Sequence, residues 1–143
     1  MYKVVFIGSN PSERSSSVVP FWHDTSSNKI LSSWIGQIDV NTIESFHYLN
    51  VANYVTPGNR PLKISEIKME ISSLRERLGE LGDVKIIALG NSAQKAMTLM
   101  GVDFFAMPHP SGLNRQLNNL KYVEEKIKGL RFYLSPSTIE EQF

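Results

Sequence analysis

Cysteine is absent from all 143 residues. Its absence excludes disulfides, thiol nucleophiles and thiolate-bound metals or clusters, and it is compatible with a reducing cytoplasm. Histidine is scarce. His23, His47 and His109 lie far apart and match no ligand spacing, so no metal site is expected. Long hydrophobic runs are missing too. The longest apolar stretches are strand-sized, and the opening "MYKVVFIG" reads as a core strand, so no signal peptide or membrane span can be drawn and a cytoplasmic protein is expected. Neither sign of charge is in excess: fifteen Lys and Arg stand against fourteen Asp and Glu, a net charge of +1. Any contact with nucleic acid would therefore be local.

What remains is an ordinary globular composition, with 41% hydrophobic and 20% charged residues, and a length that suits a single domain spanning residues 1–143. Four segments read as strands: "KVVFIG" (3 to 8), "FHYLNVANYV" (46 to 55), "VKIIALG" (84 to 90) and "VDFFAM" (102 to 107). Helical periodicity lies between them. Asn28 to Gln37 repeats apolar residues at Ile30, Leu31, Trp34 and Ile35. Ser65 to Leu81 does so at Ile67, Ile71, Leu74 and Leu78, with Ser65 as N-cap and Gly82 as stop. Asn91 caps a short helix ending at Gly101, and Asn114 to Gly129 forms the last one. The final "RFYLSPSTIEEQF" reads either as an edge strand or as a tail. Strands alternating with helices predict βαβ units and a parallel sheet covered on both faces.

In such a sheet ligands meet the carboxyl ends of the strands. The polar residues fall there: "GSNPS" after the first strand, Asn50 and Asn53 in or after the second, "GNS" after the third, "HPSGLN" after the fourth. Pro108 and Pro110 have no N–H to donate, so the chain must leave the sheet there, carrying His109 with it. Taken singly, these residues read as a tight turn, a helix cap and a surface loop. Their shared location is what points to a site.

The same stretches resemble the uracil-DNA glycosylase superfamily, in the same order from about Lys3 to the last helix. "GSNPS" (8 to 12) resembles its first motif, and "VPFWHDTSSNKIL" (19 to 31) the stretch with a base-stacking phenylalanine. In "YLNVANYVTPGNRPLKISEI" (48 to 67), Asn50 and Arg60 keep an interval found in the family-four enzymes. "IIALGNSAQKAM" (86 to 97) is similar to the third strand and helix. "HPSGLNR" (109 to 115) resembles the second signature motif, close to its form in mismatch-specific enzymes except that His109 replaces their asparagine.

The resemblance implies an α/β fold, three-layer α/β/α with a central four-stranded parallel sheet, and a monofunctional DNA glycosylase that flips out uracil or a 5-substituted uracil and excises it hydrolytically. It implies catalytic roles for Asn10 and His109, base binding by Phe21, Asn50 and Ser12, and DNA contacts from Ser111, Leu113, Arg115 and Arg60. Trp22 is the reserve stacking residue. The chemistry suits those residue types. Breaking the glycosidic bond leaves negative charge on the base, which a donor such as His109 stabilises. The Asn50 carboxamide would pair with uracil N3–H and O4, a pattern cytosine mismatches. Leu113 would be the wedge, and Ser12, Ser111, Arg115 and Arg60 would hold phosphates. The partner is DNA, single- or double-stranded, and a monomer without cofactor is expected.

Departures from the family pattern are equally specific. Ser9 stands where family-four enzymes carry glutamate and Asn10 where family-one enzymes carry aspartate, so the first motif has no carboxylate. Asp24 is the nearest substitute. Tyr54 stands where one cluster-binding cysteine of family four would be, which fits a chain with no iron–sulfur cluster. Two other readings follow: a catalytically weak or inactive protein of this fold that binds modified bases, DNA or a protein partner, and a small-molecule nucleotide-binding domain. The second lacks a Gly-rich phosphate loop after any strand.

Overall fold

A strand buried on both faces sets the architecture. In the computed structural model, which describes residues 2–11, 25–110 and 114–135, β1 (Tyr2–Gly8) carries Val4, Val5, Phe6 and Ile7, each fully shielded from solvent. Such a strand needs a neighbour on each side and a layer on each face. β2 (Ile43–Asn50) and β3 (Val84–Leu89) flank it, and β4 (Phe105–Met107) lies beyond β3. The order is β2-β1-β3-β4 and every pair is parallel.

Four helices cover this sheet: α1 (Thr25–Ile35), α2 (Ile64–Leu81), α3 (Asn91–Met100) and α4 (Leu120–Leu134). Side chains alternate across the sheet. Val5, Ile7, Ile86 and Ala88 pack against Ile67 and Leu74 of α2 and Met97 of α3. Val4, Phe6, Ile87 and Leu89 pack instead against Leu31 and Trp34 of α1 and Ile127 and Leu130 of α4. The chain thus winds outward from β1 to β2, then crosses back over β1 to β3. Right-handed crossovers put α1 and α2 on opposite faces when the winding reverses. The three-layer α/β/α arrangement with a four-stranded parallel sheet is the predicted one, and the reversal between β1 and β3 leaves a crevice at their carboxyl ends.

Boundaries differ from expectation where capping is decided by neighbours. Lys63 rather than Ser65 precedes α2, because Glu66 reaches back to accept the Lys63 N–H at 2.8 Å. Asn91 is the first residue of α3, and Gly90 is its N-cap, at φ +85°. Asn114 caps only a 3-10 turn at Arg115–Asn118; Asn119 caps α4 by accepting from the Tyr122 N–H at 3.1 Å. That last helix runs through Gly129 to Leu134, so the first four residues of "RFYLSPSTIEEQF" are helical. Leu130 and Leu134, both buried, keep the same face as Ile127 and hold the extra turn down. β2 begins earlier than predicted and ends at Asn50, after which the Val51 and Ala52 N–H groups still follow β1 by donating to Gly8 and Ser9.

Two helix glycines should respond oppositely to substitution. At Gly129 an added Cβ would lie 3.0 Å from the Phe105 ring, where α4 crosses β4, whereas at Gly79 in α2 nothing lies within 4 Å. Gly129→Val should destabilise by about 1–3 kcal/mol through overpacking, and Gly79→Ala should stabilise by about 0.4–1 kcal/mol by restricting the unfolded chain. Denaturant midpoints of the two variants against the parent check both signs.

Candidate functional site

The carboxyl ends of the strands form a row in the order of the sheet: Asn50 ends β2, Ser9 and Asn10 follow β1, Gly90 follows β3, and Pro108 and His109 follow β4. Asn10 is held from three directions. Ser9 Oγ donates to its Oδ1 at 2.9 Å, while its Nδ2 donates to the Tyr54 carbonyl at 3.0 Å and to Thr56 Oγ1 at 3.4 Å. A carbonyl only accepts, so the contact with Tyr54 fixes which end of the amide is which. Thr56 is itself buried and donates to the Arg60 carbonyl at 2.6 Å. The first motif and the loop after β2 are therefore one hydrogen-bonded unit.

That loop is braced by charge. Arg60 makes a two-pronged contact with Glu66 of α2, at 2.7 and 3.2 Å, and Glu66 also accepts from the Tyr54 hydroxyl at 3.0 Å. The Arg60 guanidinium, with the Lys63 N–H and the Tyr54 hydroxyl, pulls the Glu66 carboxyl down to about 2. Burial and the adjacent carboxylate raise the Tyr54 hydroxyl. Arg60, expected to face DNA phosphates, has its charge matched by this carboxylate.

Asn50 is buried and lies opposite Gly8. Arg77 of α2 fixes the backbone there, donating to the Asn50 carbonyl at 2.9 Å and the Val51 carbonyl at 3.3 Å. Sequence reasoning passed over Arg77 and Thr56. A signal for the first was present, since Arg77 lies three residues from Leu74 and one from Leu78, at the border of the buried stripe.

His109 is half-buried between two buried prolines. Its loop is tied down by Asn114 Nδ2, which donates to the His109 carbonyl at 2.9 Å, and by the Gly90 N–H and Gln94 Nε2, which both donate to the Met107 carbonyl. Gly90 is required twice over: its φ is positive, and a Cβ there would stand 3.1 Å from His109 Cβ. A cleft of about 380 Å³ opens beside His109, walled also by Asn91, Gln94, Gln116, Tyr122 and Lys126. Arg115 is exposed in the following turn. Phe21, Ser12, Ser111 and Leu113, with Trp22 and Asp24, lie outside the described residues. Among the described residues no group of three His, Asp or Glu could hold a metal, and no helix is long and apolar enough to cross a membrane.

Fold and site together define a doubly wound α/β domain that presents amide and imidazole side chains at the carboxyl ends of its strands, the place where this class takes its ligands. Residues 2–131 match the Uracil DNA glycosylase superfamily, and the chain belongs to that superfamily. No curated protein matches it.

The brace predicts an acid-side signature. A carboxyl held below its ordinary value of 4.5 contributes stability above that value and loses it as the pH falls through about 2. Glu66→Gln should therefore be less stable than the parent near neutral pH, and the gap should close between about 4.5 and about 2. Unfolding midpoints across that range read this directly; a gap independent of pH would mean that Glu66 acts through shape and not charge.

Proposed function

We propose that the protein is a monofunctional DNA glycosylase that flips out uracil, or a 5-substituted uracil, and excises it hydrolytically. The observation that carries this reading is the placement of Asn10, Asn50 and His109 along one edge of the sheet, at the carboxyl ends of β1, β2 and β4, within the span matched to the superfamily. In the reaction the bond from C1′ to N1 breaks and its electron pair leaves with the base. Water then adds to C1′, and its proton passes to solvent or to the departing uracil anion. His109 donates a hydrogen bond to the base oxygen as charge develops there, for which a neutral imidazole suffices. Asn50 reads N3–H and O4. Asn10 orients the water through the lone pair of Oδ1 that Ser9 leaves unused. It takes no proton, so the assistance of a general base, worth about 10²- to 10⁴-fold, is forgone.

Outside the described residues, the reading assigns stacking on the base to Phe21, the wedge to Leu113 and phosphate contacts to Ser12 and Ser111, with Arg115 adding charge from the exposed turn. Arg60 has a reduced part in it, since its charge is already matched by Glu66. Ser12 is too short to crowd C5 as a tyrosine would, which leaves room for a 5-substituent. One methyl group in an apolar pocket is worth only about 1–3 kcal/mol, so strong exclusion needs bulk there. A second reading, a glycosylase-fold protein that binds flipped bases without useful turnover, is favoured by the commitment of the Asn10 amide to Tyr54 and Thr56 and by the missing carboxylate.

Single-turnover assays on uracil-containing oligonucleotides, read by alkaline cleavage of abasic sites, separate the two. Excision by the parent protein is expected, and a protein that binds the oligonucleotide but leaves the base in place would favour the second reading. His109→Ala should slow excision by about 10²- to 10³-fold while leaving DNA binding nearly intact, as for loss of an oxyanion donor. Unchanged turnover would remove His109 from the chemistry.

Asn50→Asp tests the reading of the base. A carboxylate lacks the donor that O4 needs, so uracil excision should fall and discrimination against cytosine should weaken. Parallel rates on uracil, cytosine and 5-hydroxymethyluracil check this, and an unaltered preference for uracil over cytosine would place base selection elsewhere.

A further inference from the structure

The cleft beside His109 has a chemical bias that none of the roles above uses. Among the described residues its walls include the side chains of Asn91, Gln94, Gln116 and Tyr122, all able to donate hydrogen bonds, and no carboxylate. Lys126 is the one residue with a fixed charge among the described residues lining it. Its ammonium lies 4.9 Å from the centre of the Phe105 ring and makes no hydrogen bond or ion pair among the described residues. The lysines elsewhere that reach inward do find oxygen: Lys3 donates to the Leu81 carbonyl and Lys85 to the Tyr133 carbonyl. Partial burial lowers the basicity of Lys126, as expected of a cation that has given up water without gaining a counter-charge.

Its position is fixed by packing. Asn119 caps α4 upstream, and Gly129 lets the helix close on Phe105, the ring on which the Lys126 ammonium rests. An ammonium set among uncharged donors, with no acidic group among the described residues of the walls, suits an oxyanion with several acceptor oxygens. The cleft shares His109 with the proposed base site, and DNA bound there carries a phosphate at every nucleotide step. We propose that this cleft is a phosphate site in which Lys126 receives a phosphodiester of the DNA strand next to the flipped nucleotide. The assignment rests on the glycosylase reading and adds to it a residue on α4, eleven positions beyond Arg115.

The test uses the full chain and an oligonucleotide carrying a tetrahydrofuran abasic analogue, with binding followed by fluorescence anisotropy over a series of salt concentrations. Each neutralised phosphate contributes about 0.9 to the slope of log K against log salt on duplex and about 0.7 on single strands. Lys126→Gln and Lys126→Met should each reduce the slope by about that amount, and Lys126→Arg should retain it. Slopes equal to the parent's in both neutral variants, with circular dichroism showing them folded, would overturn the assignment. Inorganic phosphate and deoxyuridine monophosphate serve as competitors. If either saturates a Lys126-dependent site without displacing the oligonucleotide, the ligand is a free phosphate and the assignment to the DNA strand fails. Uracil excision by the parent is measured alongside: its absence counts against the glycosylase reading, whereas excision with an unaltered slope in the variants counts against Lys126 alone.

Discussion

The burial of β1 on both faces constrains the rest of the molecule. Four consecutive side chains, Val4 to Ile7, point alternately into two separate apolar layers and none reaches solvent. The backbone between them must find hydrogen-bond partners on both sides, which β2 and β3 supply. Because those neighbours are parallel, each connection must cross the sheet and return, and the helices that do so close the two layers. The carboxyl end of β1 then lies at the point where the winding reverses. Gly8, Ser9 and Asn10 emerge where two sets of loops diverge and leave a crevice.

Around that crevice, rigidity comes from polar contacts made by buried or half-buried groups. Thr56 links Asn10 to the backbone at Arg60, and the Arg60–Glu66 pair ties the same loop to the start of α2. Arg77 holds the end of β2 by its carbonyls, while Asn114 and Gln94 hold the loop after β4. Polar side chains at a ligand site lose more in a poorly fixed geometry than apolar ones, because a hydrogen bond weakens steeply with angle. The salt bridge is partly exposed to solvent, so its contribution lies in orientation more than in raw stability.

The two sides of the sheet's carboxyl edge differ in character. Toward β2 the polar groups are committed to one another, down to both ends of the Asn10 amide. Toward β4 the cleft by His109 is walled by donors, with Lys126 left without a counter-charge among the described residues. Membership of the superfamily relates the chain to DNA glycosylases in general, and after β1 this chain offers Ser9 and Asn10 with no carboxylate between them.

Strands, helices and the layered parallel architecture were legible in the chain alone, because continuous apolar runs and helical periodicity are local patterns whose burial demands such layers. So was the placement of Asn10 and His109, which follow segments read as strands, whereas Asn50 fell inside the segment read over 46 to 55 and only the folded chain ends β2 at it. What those residues touch was not legible, and it emerged only from the folded layers. Asn10 and Thr56 stand 46 positions apart, so no spacing rule announces that one orients the other. Arg60 reads as a loose loop cation until α2 folds and brings the Glu66 carboxylate to it. Helix starts shifted for the same reason: Asn91 has the chemistry of a cap, yet Gly90 takes that place because the close approach of His109 and a positive φ admit no Cβ. Lys126 was one lysine among several along a solvated helix, and only the packing of α4 on Phe105 turned it into the cation of a cleft. Local patterns carry burial, but the pairing of charges and amides depends on distances that exist only once the layers have closed.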